Sequence, residues 1–236
     1  MPDPVPSPAT TADVLANPAW ASLAGAHAHL AQERGRARRY PADVSPFAAV
    51  ADVRDPAAWA DLAALAGPGA DVRVPGAEEV PAGWELVQRL PGVQMVATAA
   101  LAAAPDPGAV ELGEDDVDDA LDLVARTRPG PFGRRTRLLG RYLGVRDASG
   151  RLVAMAGERM APPGWTEVSA VCTDPSVRGR GYASRLVRAV AAGILERGDR
   201  PLLHASADNT GALRLYAALG FERSRAMPFH LLRAPS

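Results

Sequence analysis

The amino-acid sequence predicts a mixed α/β fold, in which a sheet flanked by helices is preceded by a smaller mixed α/β domain. The first observation is a strand pattern over 166–173, where side chains alternate between two faces until Pro175 ends the strand. The second is a glycine-rich turn followed by apolar residues at helical spacing, from Ala183 to Ile194. The third is a hairpin over 141–159, whose strands are joined by a turn that ends at Gly150. Strands and helices therefore follow one another through the second half of the chain.

Composition and charge limit the classes of function. The chain has 236 residues, of which 47% are hydrophobic and 22% charged, as in soluble globular proteins of one large or two modest domains. The net charge of −1 provides no overall field that would attract nucleic acid or an anionic membrane. No apolar run approaches the roughly 18 residues of a membrane span, and the N-terminus lacks the pattern of a signal peptide. We therefore expect a cytoplasmic protein that binds neither nucleic acid nor membranes.

The first 98 residues contain no motif of their own. Residues 1–17 are rich in proline and small polar residues, which predicts a disordered or extended tail. Residues 18–98 are predicted to form an N-terminal mixed α/β domain. Its predicted elements are a helical stripe from Trp20 to Ala31, a helix opened by Asp55 and Pro56 and closed by Gly67, and short strands over 72–74, 84–90 and 93–98. The alanine- and proline-rich stretch 99–108 is predicted to be a linker.

Residues 109–236 are predicted to form the second domain. It begins with a short strand over 110–112 and a helix that buries Val117, Leu121 and Val124 and stops at Pro129. The hairpin, the central strand, the glycine turn and its helix come next. The remaining predicted elements are a strand over 202–207, a helix over 210–219 that ends before Gly220, and a closing hairpin formed by 221–225 and 229–232.

Gly179 and Gly181 mark the turn as a candidate anion site. Glycine lets the backbone fold tightly and lets a ligand approach the main chain, and the free amides of a helix N-terminus suit a phosphate or pyrophosphate. The alternative is a glycine-rich turn with solvated arginines. The chain lacks the third glycine and the downstream acid of the dinucleotide fingerprint, and it lacks the Gly-Lys-Ser/Thr of the P-loop.

Two segments resemble a known family. The order Arg178, two residues, Gly181, one residue, Ala183 resembles the Arg/Gln-x-x-Gly-x-Gly/Ala signature of the GNAT superfamily of acyl-CoA-dependent N-acyltransferases. The segment from Asn209 to Phe221 is similar to the family's Asn-x-x-Ala-x-x-Leu-Tyr-x-x-x-Gly-Phe. The resemblance covers about residues 109–234 and implies the GNAT fold, with a central, mostly antiparallel twisted sheet. Residues 20–98 hint at a degenerate GNAT-like half without a phosphate loop.

The resemblance implies acetyl-CoA (coenzyme A) as a cosubstrate. Its pantetheine arm would enter a gap where the central strand and the next strand splay apart, and an N–H near Val171 or Cys172 would hold the thioester carbonyl. The pyrophosphate would contact the amides of the glycine loop, which runs from Arg178 to Ser184. Asn209 would bind the arm, or it caps the following helix. The cofactor-binding residues implied in this way are Val171, Cys172, Thr173, Arg178, Gly179, Arg180, Gly181, Tyr182, Ala183, Ser184 and Asn209.

The resemblance also implies two catalytic residues. Tyr216 matches the tyrosine that faces the cofactor sulfur and would protonate the departing thiolate; the alternative is a core aromatic. Glu167 matches the place of a general base in some relatives, with Glu158 as the second candidate, and each could instead be a solvated acid at a strand end. His204 is interpreted as structural, although a histidine that faces the cleft is an alternative.

Cys172 is the only cysteine of the chain. A single cysteine excludes an intrachain disulfide and a cysteine-based zinc site, and we expect no metal. A thiol in the active site could indicate ping-pong chemistry, but its position within the cofactor strand favours a small packing residue.

The function implied by the resemblance is an acyl-CoA-dependent N-acyltransferase. It would transfer acetyl from acetyl-CoA to an amine-bearing acceptor, a small molecule or a protein, by direct attack in a ternary complex. The alternative is a non-catalytic acyl-CoA-binding sensor. Arginines around the first helix of the second domain permit an anionic acceptor, or they form a solvated basic loop: Arg126, Arg128, Arg134, Arg135 and Arg137. The oligomeric state is left open between monomer and homodimer.

Overall fold

The computed structural model describes residues 11–236. The helices are α1 Thr11–Ala16, α2 Pro18–Ala24, α3 Pro56–Ala66, α4 Val117–Thr127, α5 Tyr182–Glu196 and α6 Thr210–Ala218. The strands are β1 Gln32–Arg34, β2 Ala37–Arg39, β3 Ala48–Val50, β4 Asp71–Arg73, β5 Glu85–Gln88, β6 Gly92–Ala97, β7 Val110–Glu111, β8 Tyr142–Arg146, β9 Leu152–Glu158, β10 Trp165–Thr173, β11 Arg200–Ser206, β12 Phe221–Ala226 and β13 Leu231–Arg233. Within these residues no helix has the length and apolarity needed to cross a membrane.

The largest sheet has seven strands in the order β12-β6-β11-β10-β9-β8-β7. Every neighbouring pair is antiparallel except β10 with β11, which are parallel. The buried face of α5, with Leu186, Val190 and Ile194, contributes to one core cluster with residues of this sheet. The predicted mixed α/β fold with a mostly antiparallel central sheet is therefore confirmed.

The two parts of the chain exchange strands. Strand β6 belongs to the N-terminal part, yet it lies between β11 and β12 in the large sheet. Strand β13, at the other end of the chain, lies between β4 and β5 in a separate sheet. The predicted closing hairpin is therefore wrong, because β12 pairs with β6 and β13 pairs with β4 and β5. Residues 99–108 connect two strands of one sheet and do not separate two self-contained sheets.

The N-terminal prediction needs a second correction. Residues 11–16 form α1 and not an extended tail, while residues 1–10 lie outside the described part. Leu15 is buried against Trp165 and Leu202, and its carbonyl accepts a hydrogen bond from the Gln94 side chain at 2.9 Å. Burial of this apolar side chain favours helix where the proline content suggests a tail. The predicted stripe from Trp20 to Ala31 is also interrupted, because α2 ends at Ala24.

The buried face of α4 differs from the predicted one. Its buried residues are Ala120 and Leu123, whereas Val117, Leu121 and Val124 are only partly buried. The helix ends at Thr127, two residues before Pro129, as expected from the restriction that proline places on its neighbour.

Candidate active site

One cavity of about 1430 Å³ connects the glycine loop, the central strands and the N-terminal part of the chain. The predicted cofactor-binding residues all line it: Val171, Cys172, Thr173, Arg178, Gly179, Arg180, Gly181, Tyr182, Ala183, Ser184 and Asn209. Tyr216 lines it as well, but Glu167 and Glu158 do not. The sequence motifs therefore converge on one space, with the exception of the two candidate bases.

A gap opens between β10 and β11 along this cavity. The two strands pair from Trp165 with Arg200 to Val168 with Leu203, and no further, although β10 continues to Thr173. On its other side β10 remains paired with β9 as far as Thr173. The backbone groups of the last part of β10 that face β11 therefore lack strand partners and are available to an extended ligand. The predicted splaying of these strands is confirmed.

A β-bulge lies in the middle of this gap. The register between β9 and β10 shifts between Ser169 and Cys172, and Ala170 has a φ of 52°. A residue with a side chain costs of the order of 1 kcal/mol or more in this left-handed region, and such positions cluster at functional sites. The bulge occurs beside Val171 and Cys172, whose amides are the predicted oxyanion donors.

The glycine loop presents open backbone to the cavity. Gly179 and Gly181 have φ values of 79° and 77°, and a Cβ added to either would meet no atom of the described residues within 4 Å. Helix α5 begins directly after Gly181 and has no side chain as its N-cap. Its first amides thus lack a side-chain acceptor, which is the arrangement that binds anions at helix N-termini. Among the described residues, neither Arg178 nor Arg180 forms an ion pair, so both charges are available to a phosphate.

Tyr216 lies in α6 and faces both the core and the cavity. The residue is 8% exposed, and its ring packs edge-on against Phe221 with centroids 6.4 Å apart. Its hydroxyl forms no hydrogen bond with any residue in the described part of the chain. Burial raises the pKa of Tyr216 to about 12. The phenol therefore keeps its proton at neutral pH, and no described residue accepts a hydrogen bond from it.

Asn209 is the N-cap of α6, because its side-chain oxygen accepts a hydrogen bond from the Ala212 amide at 3.1 Å. The same side chain lines the cavity. The capping role is thus observed, and contact with a cofactor arm remains compatible with it.

Glu167 lies beneath the cavity floor, in surroundings that do not suit a general base. The residue is 0% exposed, and its carboxylate binds Arg159 Nε at 2.9 Å and His204 Nδ1 at 2.7 Å. Burial alone would raise the pKa of Glu167, but Arg159 and His204 together hold it at about 2. A carboxylate that is so weakly basic and so fully occupied does not readily accept a proton from a substrate.

His204 is fixed at both ring nitrogens. Nδ1 faces Glu167, and Nε2 lies 3.1 Å from the Gln94 side-chain nitrogen, which also donates to the Leu15 carbonyl. Because the Gln94 nitrogen can only donate, Nε2 of His204 accepts and Nδ1 carries the proton. This arrangement agrees with the structural interpretation of His204, whose side chain is buried although the residue borders the cavity.

The other candidate residues have ordinary partners. The Glu158 carboxylate forms an ion pair with Arg197 at 2.6 Å. Cys172 is buried, and burial raises the pKa of its thiol. Of the five arginines around α4, only Arg128 lines the cavity, while the others form ion pairs with neighbouring acids: Arg126 with Asp122, Arg134 with Asp118, Arg135 with Asp43 and Arg137 with Glu114. These pairs agree with a solvated basic loop.

Sequence reasoning missed one end of the cavity. Phe47, Arg73, Arg159 and Phe229 line it there, and they come from four distant parts of the chain. None belongs to a motif. The only sequence signal is that Arg159 directly follows the buried strand β9.

Comparisons with known proteins identify relatives of this sequence and fold. The family described as FR47-like protein matches residues 142–229. A GNAT-family protein of Novosphingobium aromaticivorans DSM 12444, described as an acetyltransferase, is 43% identical over 94% of this chain and 99% of its own, with a TM-score of 0.85. A GCN5-related N-acetyltransferase from Kribbella flavida shares the fold over 96% of both chains, with a TM-score of 0.63 at 20% identity.

A curated relative matches a shorter region. N-alpha-acetyltransferase RimI of Mycobacterium tuberculosis (strain ATCC 25618 / H37Rv) is 39% identical over 85 residues, which are 35% of this chain and 52% of that protein. The match thus spans about half the length of that relative. The whole-length similarity to the Novosphingobium protein carries the assignment: the chain belongs to the GNAT superfamily of acetyltransferases.

Proposed function

We propose that the protein transfers an acetyl group from acetyl-CoA to an amine by direct attack in a ternary complex. The observation that carries this proposal is the cavity that joins the uncapped start of α5, the unpaired edge of β10 and Tyr216. A cofactor and an acceptor can share such a space. The relatives described as acetyltransferases support the reaction class.

The residues present fit acetyl-CoA. Its phosphates would fit the open backbone at Gly179 and Gly181, beside two arginines that form no ion pair with the described residues, Arg178 and Arg180. The amide-bearing pantetheine arm would fit the edge of β10 at 171–173. When bound, acetyl-CoA would supply an activated thioester.

The transfer forms a C–N bond, breaks the C–S bond and moves one proton from nitrogen to sulfur. The lone pair of the neutral acceptor amine attacks the thioester carbonyl carbon and the C–N bond forms. The nitrogen then gives up an N–H proton to solvent, and the C–S bond breaks as the thiolate leaves and takes up a proton. An amide N–H near Val171 or Cys172 would stabilise the developing oxyanion, which is worth about 3 kcal/mol of barrier.

Tyr216 would donate a hydrogen bond to the departing sulfur. With a phenol pKa of about 12 against roughly 8.5 for a thiol, complete proton transfer is uphill by about 5 kcal/mol. A hydrogen bond from the neutral phenol to the sulfur should therefore stabilise the transition state more than complete proton transfer would. If the phenol does give up its proton, solvent replaces it.

The proton of the acceptor ammonium goes to solvent in this proposal. Among the described residues that line the cavity there is no aspartate or glutamate, and both His204 nitrogens have partners. The rate should then follow the neutral fraction of the amine itself.

A mixture of amine acceptors with acetyl-CoA tests the function. Release of free thiol together with an acetylated amine, detected by mass spectrometry, supports the transferase. Binding of acetyl-CoA without either product would favour the sensor, and absence of binding would overturn both. Cytoplasmic location remains a prediction.

A further inference from the structure

The cavity has an end that is distant from the glycine loop. We define the acceptor end by Phe47, Arg73, Arg159, His204 and Phe229. The Arg159 amide binds the Glu167 carbonyl at the start of β10, whereas the glycine loop follows the other end of that strand. At the rise of an extended strand the two ends of this segment are roughly 20 Å apart.

Aromatic rings surround the Arg159 guanidinium. It lies 4.8 Å from the Phe47 ring centroid and 5.8 Å from that of Phe229, and the two rings are 5.6 Å apart. Nε and Nη2 bind Glu167, while Nη1 has no partner in the described part of the chain. The side chain is 13% exposed. One donor nitrogen is therefore left for a ligand.

Arg73 is a half-buried cation without an anion. It forms no ion pair within residues 11–236, and its donors reach only neutral oxygens, the Phe229 carbonyl at 3.0 Å and Gln88 Oε1 at 3.1 Å. Burial lowers the pKa of Arg73. A partly desolvated guanidinium gains free energy when an anion pairs with it.

The charges around the acceptor end do not cancel. The described residues that line the cavity include five arginines and no acid: Arg73, Arg128, Arg159, Arg178 and Arg180. At the acceptor end Glu167 compensates Arg159, and Arg73 is left over. One uncompensated positive charge matches a monoanion such as a carboxylate better than a phosphate, which carries nearly two charges.

We propose that the acceptor is a small amine that carries a carboxylate. The carboxylate pairs with Arg73, with Arg159 Nη1 as a second donor, and the apolar part of the acceptor packs on the partly buried ring of Phe229, which is in contact with the buried ring of Phe47. This inference rests on the proposed acetyl transfer and names its substrate class.

Matched acceptors test the charge directly. Glycine and L-phenylalanine are compared with glycinamide and L-phenylalaninamide, and with phosphoethanolamine, by thiol release from acetyl-CoA. The amino group of each amide is less basic than that of the matching acid, so a larger fraction of it is neutral at pH 7. A preference for the acids therefore cannot come from the reactivity of the free amine. The proposal expects kcat/KM for the acids to exceed that for the amides and for phosphoethanolamine.

Arg73→Gln should lower kcat/KM for the preferred acid by about ten- to a hundredfold and by much less for its amide, so that the ratio of the two values falls. Arg73→Lys should restore part of the loss. Arg89→Gln is the matched control, because Arg89 is exposed and is not among the residues that line the cavity. Melting temperatures check that each variant is folded.

The proposal would be overturned by equal use of acids and amides, or by a preference for amides or for phosphoethanolamine. An equal loss of kcat/KM in the Arg89→Gln control would also overturn it. Transfer only to acceptors without an anionic group would overturn it as well. In each of these cases acetyl-CoA turnover persists and the proposed function stands. Absence of acetyl-CoA binding would instead remove the function itself.

Discussion

Among single residues, Tyr216 has a buried ring and a hydroxyl that forms no hydrogen bond within residues 11–236. Removing the hydroxyl breaks no hydrogen bond with the described residues, so the fold should tolerate phenylalanine. We predict that Tyr216→Phe lowers kcat by roughly ten- to a thousandfold while melting temperature and acetyl-CoA affinity change little.

Tyr142→Phe is the control, since Tyr142 is buried and lies outside the large cavity. It should leave kcat unchanged. If kcat of Tyr216→Phe stays within a factor of about two of wild type with chemistry rate-limiting, Tyr216 is only a core aromatic.

Glu167 gives a prediction about stability and pH. Its folded pKa of about 2 is below the usual value, so its contribution is complete above about pH 4.5 and is lost as the pH falls toward 2. Glu167→Gln leaves the buried Arg159 without its partner and should cost about 3 to 5 kcal/mol at pH 7.

Urea unfolding from pH 7 to pH 2.5 measures this effect. The difference in unfolding free energy between wild type and Glu167→Gln should be largest above pH 5 and should shrink on acidification. A difference that stays constant with pH would show that Glu167 keeps an ordinary pKa in the folded protein.

Site residues that belong to a contiguous motif could be predicted from the sequence. Tyr216 and the glycine-loop residues lie within contiguous motifs, and the structure brings them to one cavity. Glu167 is predicted at the start of the central strand and lies in the early part of β10. Its ion pair could not be predicted, because Arg159 follows β9, His204 lies on β11, and no local pattern indicates the pairing.

At the scale of elements, the unit formed by β10, the glycine loop and α5 was predictable because each signal is local. Alternation marks the strand, Pro175 ends it, two glycines adopt positive φ, and helical spacing follows. The pairing of β6 and β13 was not predictable in this way. Periodicity indicates that a segment is extended, but it does not identify its neighbour in a sheet.

In the whole molecule, β6 and β13 each pair with strands of the other part of the chain, so we expect the two parts to fold together. Val93, Met95 and Ala97 of β6 are buried in the same core cluster as the face of α5. A degenerate GNAT-like N-terminal half remains a prediction, but neither part completes its sheet alone.

A fragment comprising 109–236 should therefore fail to fold. It lacks β6, which leaves β11 and β12 without their shared partner, and β13 loses β4 and β5. We expect no cooperative thermal transition for this fragment, and we expect co-expression with a 1–108 fragment to restore a stable complex. A cooperative transition of 109–236 alone, near the wild-type temperature, would contradict this account.

We expect the glycine loop to bind the phosphates of acetyl-CoA, and calorimetry on loop variants measures this binding. Gly181→Val places a side chain in the open space beside α5, whereas Gly150→Val introduces similar strain in a hairpin turn outside the cavity, since φ is 77° and 85° at the two positions. We predict that Gly181→Val weakens acetyl-CoA binding more than about tenfold and that Gly150→Val leaves it unchanged. A folded Gly181→Val protein that binds acetyl-CoA as tightly as wild type would contradict the account.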